Sequence, residues 1–199
     1  NIVMEALDTL HPTAEAHHRV MIVEVMGRDA GWLAAVGGLA GGADVIVVPE
    51  VPISVEDICR VLRERHEKGK TYTLVAVAEG AVLEGVGKQV IHETQVDEFG
   101  HVKLGGIGHM LANEVETRTG YETRVTVLGH LQRGGSPSAF DRVLATRMGV
   151  MAVELIKQGT FGVMIGYRQH RVEPVPLEEA LRGSHKLDLE LYHMAQYFR

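Results

Sequence analysis

The nine-residue run Gly129-His130-Leu131-Gln132-Arg133-Gly134-Gly135-Ser136-Pro137 carries the densest candidate chemistry in the sequence. His130 and Arg133 leave an apolar run at i, i+3 spacing, Gly134-Gly135 frees backbone N–H groups, and Ser136-Pro137 opens a helix. Helix N-termini and exposed amides attract anions, and an arginine adds a two-pronged fork that matches phosphate. An ordinary strand-to-helix turn with a surface arginine accounts for the same letters. Arg28 stands just past another apolar run, behind Met26 and Gly27, where glycine permits close backbone approach. An arginine so placed can neutralise charge developing on a transferring phosphoryl group, or can simply pair with a surface acid. Glu79 ends a third apolar run, where it can accept hydrogen bonds from ligand hydroxyls or cap a turn. Arg19 and Arg124 stand at the starts of such runs, at the opposite end. Within one subunit they read as solvated charge and gain a role only if a neighbouring subunit brings them to a site.

Other reactive side chains read as structural. His17 and His18 are adjacent and cannot share a helical face. His66, His92, His101 and His109 have no second ligand at zinc-like spacing. Cys59 falls on the apolar face of its helix and reads as packing; Trp32 and the methionines read as core.

The elements that must position these groups alternate. Ile2, Val3, Ala6, Leu7 and Leu10 recur at helical spacing from the first residues, so the chain reads as cut from something longer. Arg19–Val25, Asp44–Val48, Thr73–Ala78, Arg124–Leu128 and Gly162–Tyr167 read as strands; the β-branched runs suit parallel strands covered on both faces. Helices are expected over Gly31–Ala40, from a Ser54 cap to Lys68, over Ile107–Thr119, Ser138–Gln158 and Leu187–Phe198. The stretch from Ala81 to Gly106 reads as a hairpin or lid. This alternation predicts an α/β fold, a three-layer α/β/α arrangement with a mostly parallel sheet. In such sheets ligands sit at the carboxyl ends of the strands, which is where Arg28, Glu79, His130 and Arg133 fall.

Composition narrows the classes. The 199 residues carry 20 Lys and Arg against 26 Asp and Glu, a net charge of −6, which excludes the basic stripe that nucleic acid requires. Cys59 is the single cysteine, so no internal disulfide forms and a reducing, cytoplasmic compartment is expected. No apolar run reaches the roughly 18 to 20 residues of a membrane span.

Four segments in order, Ala16–Leu33, Ala40–Glu50, Ala78-Glu79-Gly80 and Glu122–Arg142, resemble the phosphofructokinase family. The resemblance implies phosphoryl transfer from ATP or pyrophosphate to the 1-hydroxyl of fructose 6-phosphate. It implies that Met26, Gly27 and Arg28 hold the sugar phosphate and its transferring group, with Arg28 stabilising the transition state. Glu79 would bind sugar hydroxyls, and His130 and Arg133 the 6-phosphate. Arg19 and Arg124 would reach the same phosphate in a neighbour's site, which requires a homo-oligomer, a dimer or tetramer. Gly42, Asp44, Lys68 and Lys70 match positions that hold an allosteric nucleotide effector and its metal. His11 stands where allosteric bacterial members have an arginine, and Ala81–Gly106 is longer than in the shortest members. The family's donor loop, its Mg²⁺-binding acid and its catalytic aspartate precede the point at which this chain begins. The expected division is therefore 1–131 with 183–199 as the fructose 6-phosphate and effector domain, and 132–182 as a return to the donor domain. The fragment alone is expected to be inactive. A non-catalytic phosphosugar-binding subunit or sensor of the same fold is the alternative; a sugar-binding protein of periplasmic type fits less well.

Overall fold

Four β-branched runs form the centre of a computed structural model that describes residues 1–84, 106–182 and 186–197. They are β1 (Val20–Val25), β2 (Val45–Val47), β4 (Thr73–Ala78) and β6 (Thr123–Val127). All pair in parallel, in the order β2-β4-β1-β6. Val20 aligns with Thr73 on one side and with Thr123 on the other, so these three strands start level and end level. Alternate side chains feed two cores. Met21, Val23 and Val25 of β1 face one cluster and Val20 and Ile22 the other, as a sheet covered on both sides demands.

One face is covered by α1 (Ile2–His17), α2 (Trp32–Ala40) and α7 (Leu189–Gln196), which contribute Val3, Leu7, Ala34, Ala35, Tyr192 and Ala195. The small residues of α2 let α1 approach closely: a Cβ on Gly37 would lie 2.6 Å from the Val3 side chain, and one on Gly41 2.8 Å from that of Leu7. The other face carries α3 (Val55–Glu67) and α4 (Ile107–Thr119), with Ile58, Leu62 and Leu111 fully buried. Each such side chain contributes about 1.5 to 3 kcal/mol by leaving water. Ser54 caps α3 by accepting from the Asp57 amide. The three expected layers are present.

Two short strands, β3 (Ile53–Ser54) and β5 (Leu83–Glu84), pair in parallel beside the main sheet. The rest of the expected hairpin or lid, residues 85–105, lies outside the described residues.

The described chain divides into two compact units, Asn1–Arg133 with Lys186–Arg199, and Gly134–His185. The second unit holds α5 (Ala139–Lys157), β7 (Val163–Arg168), β8 (Arg171–Pro176) and α6 (Leu177–Ala180). A capping box between Ser138 and Asp141 starts α5. β7 falls on the expected strand over Gly162–Tyr167, and it pairs antiparallel with β8, which was not expected, in a separate hairpin. Pro174 and Pro176 hide β8 in the sequence, since proline is tolerated in a strand only where no ladder donor is needed. The hairpin turn is made by Gln169 and His170, both at positive φ (47° and 65°), without the glycine or asparagine that usually marks it.

The outer side of α5 is uncovered within its unit. Val143, Val150, Val153 and Ile156 are each more than half exposed, Phe140 is half-exposed although its ring meets the edge of Tyr167 in β7, and no residue of α5 is buried. A helix with this many exposed apolar side chains is built to be covered.

Candidate functional site

β1 runs into a tight turn in which the Ala30 amide donates to the Gly27 carbonyl at 3.1 Å. Arg28 sits inside that turn with φ of 50°, the left-handed region that costs a non-glycine residue about 1 to 2 kcal/mol. Three contacts hold it there. The Glu79 Oε1 accepts from the Gly27 amide at 3.1 Å and from the Arg28 amide at 3.0 Å. Behind it, the backbone of Gly80 fits so tightly under Arg28 that a Cβ at position 80 would stand 1.9 Å from the Arg28 carbonyl oxygen. The Glu79 amide donates to Val25 at 2.8 Å, which continues the β4–β1 pairing up to the turn. The sequence offered Glu79 as a ligand for hydroxyls or as a turn cap. In the folded chain it anchors the turn that carries Arg28, and it remains partly exposed.

At the far end of this loop, the Gly31 amide donates to both oxygens of Glu50, at 3.0 and 3.1 Å. Glu50 follows β2 as Glu79 follows β4. The connection from β1 to β2 must pass over β4, and the ends of β4, the strand it crosses, and β2, the strand it joins, each supply one carboxylate to hold it. Sequence reading missed Glu50. The available signal was an acid placed three residues beyond a buried strand, directly after Pro49.

β6 leaves the sheet beside β1. Leu128 is buried and donates to the Glu24 carbonyl at 3.1 Å, and the chain then winds through a 3-10 turn over Gly129–Arg133. His130 and Arg133 are exposed on that turn. β4, β1 and β6 are consecutive in the sheet, so the strand ends that lead to Glu79, Met26–Arg28 and His130–Arg133 lie within about 10 Å, two strand spacings.

Arg19 and Arg124 lie at the opposite edge, as expected, but they are not simply solvated. Arg19 pairs with Glu122 at 2.7 Å, Arg124 pairs with the same carboxylate, and Arg124 also donates to the Thr123 carbonyl at 2.9 Å. The hydrogen bond from Arg19, aided by Arg124, holds the Glu122 carboxyl below the usual range.

Gly42 and Asp44 line a pocket of about 200 Å³ with Leu39, Ala43 and Ala195. Asp44 is already engaged: it pairs with Arg65 at 2.5 Å and accepts from the Leu74 amide at 2.8 Å. The close ion pair and the acid's behaviour pull in opposite directions. Burial raises the Asp44 pKa despite the Leu74 amide, Arg65, His11 and Lys70, because desolvating the pair outweighs its attraction. His11 packs over Gly42 and lies within hydrogen-bonding distance of the Gly41 carbonyl. Lys68 caps α3 and the Lys70 amide donates to the Arg65 carbonyl. Among the described residues no group of three or more His, Cys, Asp and Glu is placed to hold a metal ion. Cys59 is buried and burial pushes its thiol up, away from nucleophilic use.

A second residue that sequence reading missed is Glu24, a carboxylate 3% exposed at the penultimate position of β1. It accepts from the amides of Gly106 and Gly108 at 3.1 and 2.8 Å, closing the N-terminus of α4, where the cap residue Gly106 has no side chain to do so. A lone acid inside an apolar strand was the visible signal.

Fold and site together define an α/β protein with helices on both faces of a parallel sheet and its candidate groups gathered along the carboxyl edge. The sequence pattern of the family described as Phosphofructokinase matches residues 1–156. This chain is 50% identical over 198 residues to the pyrophosphate–fructose 6-phosphate 1-phosphotransferase of Amycolatopsis methanolica, covering 100% of this chain and 58% of that protein. It is 45% identical to the ATP-dependent 6-phosphofructokinase of Corynebacterium efficiens, covering 98% and 56%. Among solved structures it matches phosphofructokinase from Saccharomyces cerevisiae with a TM-score of 0.72 and 33% identity, over 89% of this chain and 22% of that one. The chain belongs to the phosphofructokinase family. It spans a little over half the length of these two curated relatives.

Proposed function

We propose that the whole protein transfers a phosphoryl group from ATP or pyrophosphate to the 1-hydroxyl of fructose 6-phosphate, and that this chain supplies the sugar-phosphate side of the site. The observation that carries the reading is the shared edge: three consecutive parallel strands deliver a strained, carboxylate-anchored Arg28, the partly exposed Glu79, and the exposed His130 and Arg133. His130 and Arg133 bind the 6-phosphate, Met26 and Gly27 bound the sugar, and the second oxygen of Glu79 receives a sugar hydroxyl. The sugar oxygen attacks phosphorus, the bond to the donor's bridging oxygen breaks, and Arg28 stabilises charge on the equatorial oxygens. Its turn is fixed before substrate arrives, so little reorganisation accompanies the reaction.

The base that takes the hydroxyl proton and the ligands of Mg²⁺ belong to the part of the family's length that this chain does not span. The uncovered side of α5 supports that assignment, because residues 132–182 then return to the donor-binding domain, which covers Val143, Val150 and Val153. Relatives named for pyrophosphate and for ATP match to similar degrees, which supports donor choice being set outside these residues. The working form is a cytoplasmic homo-oligomer, a dimer or tetramer, in which Arg19 and Arg124 exchange Glu122 for a neighbour's sugar phosphate. No helix among the described residues is long and apolar enough to cross a membrane. Gly42, Asp44, Lys68 and Lys70 form the allosteric nucleotide site, where Asp44 is engaged by Arg65.

The test is an assay of the full-length protein with fructose 6-phosphate, Mg²⁺ and either donor. Turnover is expected with one donor, and Arg28→Ala should lower kcat by about 10²- to 10³-fold. Binding of fructose 6-phosphate without turnover from either donor would replace this reading with that of a non-catalytic phosphosugar-binding subunit.

A further inference from the structure

We propose that Glu50 is a positioning residue for the Arg28 turn and joins the C-terminal segment of the chain to it. Two amides from distant parts of the sequence meet on this carboxylate. Gly31, the last residue of the loop and the N-cap of α2, donates to both of its oxygens, and Leu187 donates to Oε1 at 3.1 Å. Neither partner is loosely placed. A Cβ on Gly31 would lie 2.8 Å from the Glu50 Oε2 and 2.5 Å from the Val48 Cβ, so the loop lies flat against the end of β2. Leu187 is 5% exposed and precedes α7, whose Tyr192 and Ala195 are buried in the same core as α2.

The charge suits the position. Gly31 caps a helix with no acid in its first turn and no side-chain cap of its own, so its amide end carries partial positive charge that Glu50 answers. Glu79 fixes the loop at Gly27 and Arg28, and Glu50 fixes it at Gly31, four residues beyond Gly27. With one end released, the turn could relax the left-handed φ of Arg28. The guanidinium would then move relative to whatever the other strand ends hold. A displacement of about 1 Å is enough to cost a reaction of this kind up to 100-fold. The same oxygen holds Leu187, so the chain's return after the Gly134–His185 unit is fastened at the point where the Arg28 loop ends. Glu50 touches no reacting atom in this scheme and acts through Arg28.

The catalytic part of this inference rests on the activity proposed above. The full-length protein is compared with its Glu50→Ala and Glu50→Gln variants for kcat and KM toward fructose 6-phosphate, and for amide hydrogen exchange. Expected in Glu50→Ala is a fall in kcat of about tenfold or more with KM changed less than about threefold. Glu50→Gln keeps an acceptor oxygen and should recover part of the loss. The amides of Gly31 and Leu187 should exchange faster together in Glu50→Ala, while those in β4 keep their protection. Unchanged exchange at both amides would overturn the joint, and unchanged kcat with both amides released would overturn the positioning role. If Glu50→Ala does not fold, Glu50→Gln alone decides through the same two readouts. An unmodified protein without turnover would refute the activity and leave the exchange experiment as the test of the joint.

Discussion

Gly80 lies so close beneath Arg28 that a Cβ at position 80 would stand 1.9 Å from the Arg28 carbonyl oxygen. The contact is backbone against backbone, so no flexible side chain can yield. Gly80→Ala must therefore push the Arg28 turn away from β4 or distort the end of that strand. We expect it to lower kcat of the full-length enzyme by about tenfold to 100-fold, with a loss of stability of about 1 to 3 kcal/mol. Steady-state kinetics with denaturant unfolding checks both, and a variant with parental kcat would show that the turn tolerates the shift.

Glu79 anchors the same turn from its other side, and its two substitutions should separate. Glu79→Ala leaves the Gly27 and Arg28 amides without their acceptor. At about 0.5 to 1.5 kcal/mol per lost bond, this chain should lose about 1 to 3 kcal/mol. Glu79→Gln keeps an oxygen for those amides and should lose less stability than the alanine variant. In the full-length enzyme both should weaken fructose 6-phosphate binding. Urea denaturation of the two variants decides: equal stability of Glu79→Ala and the parent would mean the turn holds itself.

What the sequence made legible follows from how local the signals are. Thr73–Ala78 is strand β4 at both ends, because Tyr72 and Glu79 bound a run with no polar interruption. Ser54 marked its helix because a side-chain cap is written within four residues. β8 was not legible, since its prolines and its glycine-free turn imitate a loop. The candidate edge could be read because each ligand-type residue follows a strand, and the parallel topology was foreseeable from alternation. The partners of Glu50 and Glu24 were not readable: Glu50 meets residues 19 and 137 positions away, and Glu24 residues 82 and 84 positions away. No spacing rule reaches that far, and only the folded chain brings those amides to the carboxylates. The pairing of Arg19 and Arg124 through one glutamate was likewise invisible, although Glu122 stands two residues before Arg124.

Asp44 gives a pH dependence of unusual sign. Burial raises its pKa in the folded chain above the ordinary carboxylate value, against the pull of Leu74, Arg65, His11 and Lys70. The folded state therefore holds this proton more tightly than the unfolded state. Stability from this group is present in acid and lost as pH rises through the interval between the ordinary value near 4 and the raised one. Asp44→Asn removes the titration while leaving an oxygen for the Leu74 amide. Denaturant unfolding across that interval should show a flatter profile for Asp44→Asn than for the parent; parallel profiles would show that Asp44 titrates normally.

Arg124 shares Glu122 with Arg19 at the sheet edge opposite Arg28. β1 spans about 20 Å, so neither arginine can reach the other edge of its own subunit. Both ion pairs are partly exposed, and such pairs contribute little to stability. The arginines can therefore leave Glu122 at small cost when a neighbouring subunit presents a phosphate, as a two-fold interface permits. Arg124→Ala in the full-length enzyme should weaken fructose 6-phosphate binding by about 1.5 to 3 kcal/mol, the range for a hydrogen bond to a charged group. Its unfolding midpoint should hardly move. Arg133→Ala should weaken binding from the other side of the same shared site. Hybrids of the two variants then contain some sites with both arginines intact, so mixing should restore part of the activity. Normal binding by Arg124→Ala, or no recovery in hybrids whose formation has been demonstrated, would show that each subunit binds its sugar phosphate alone.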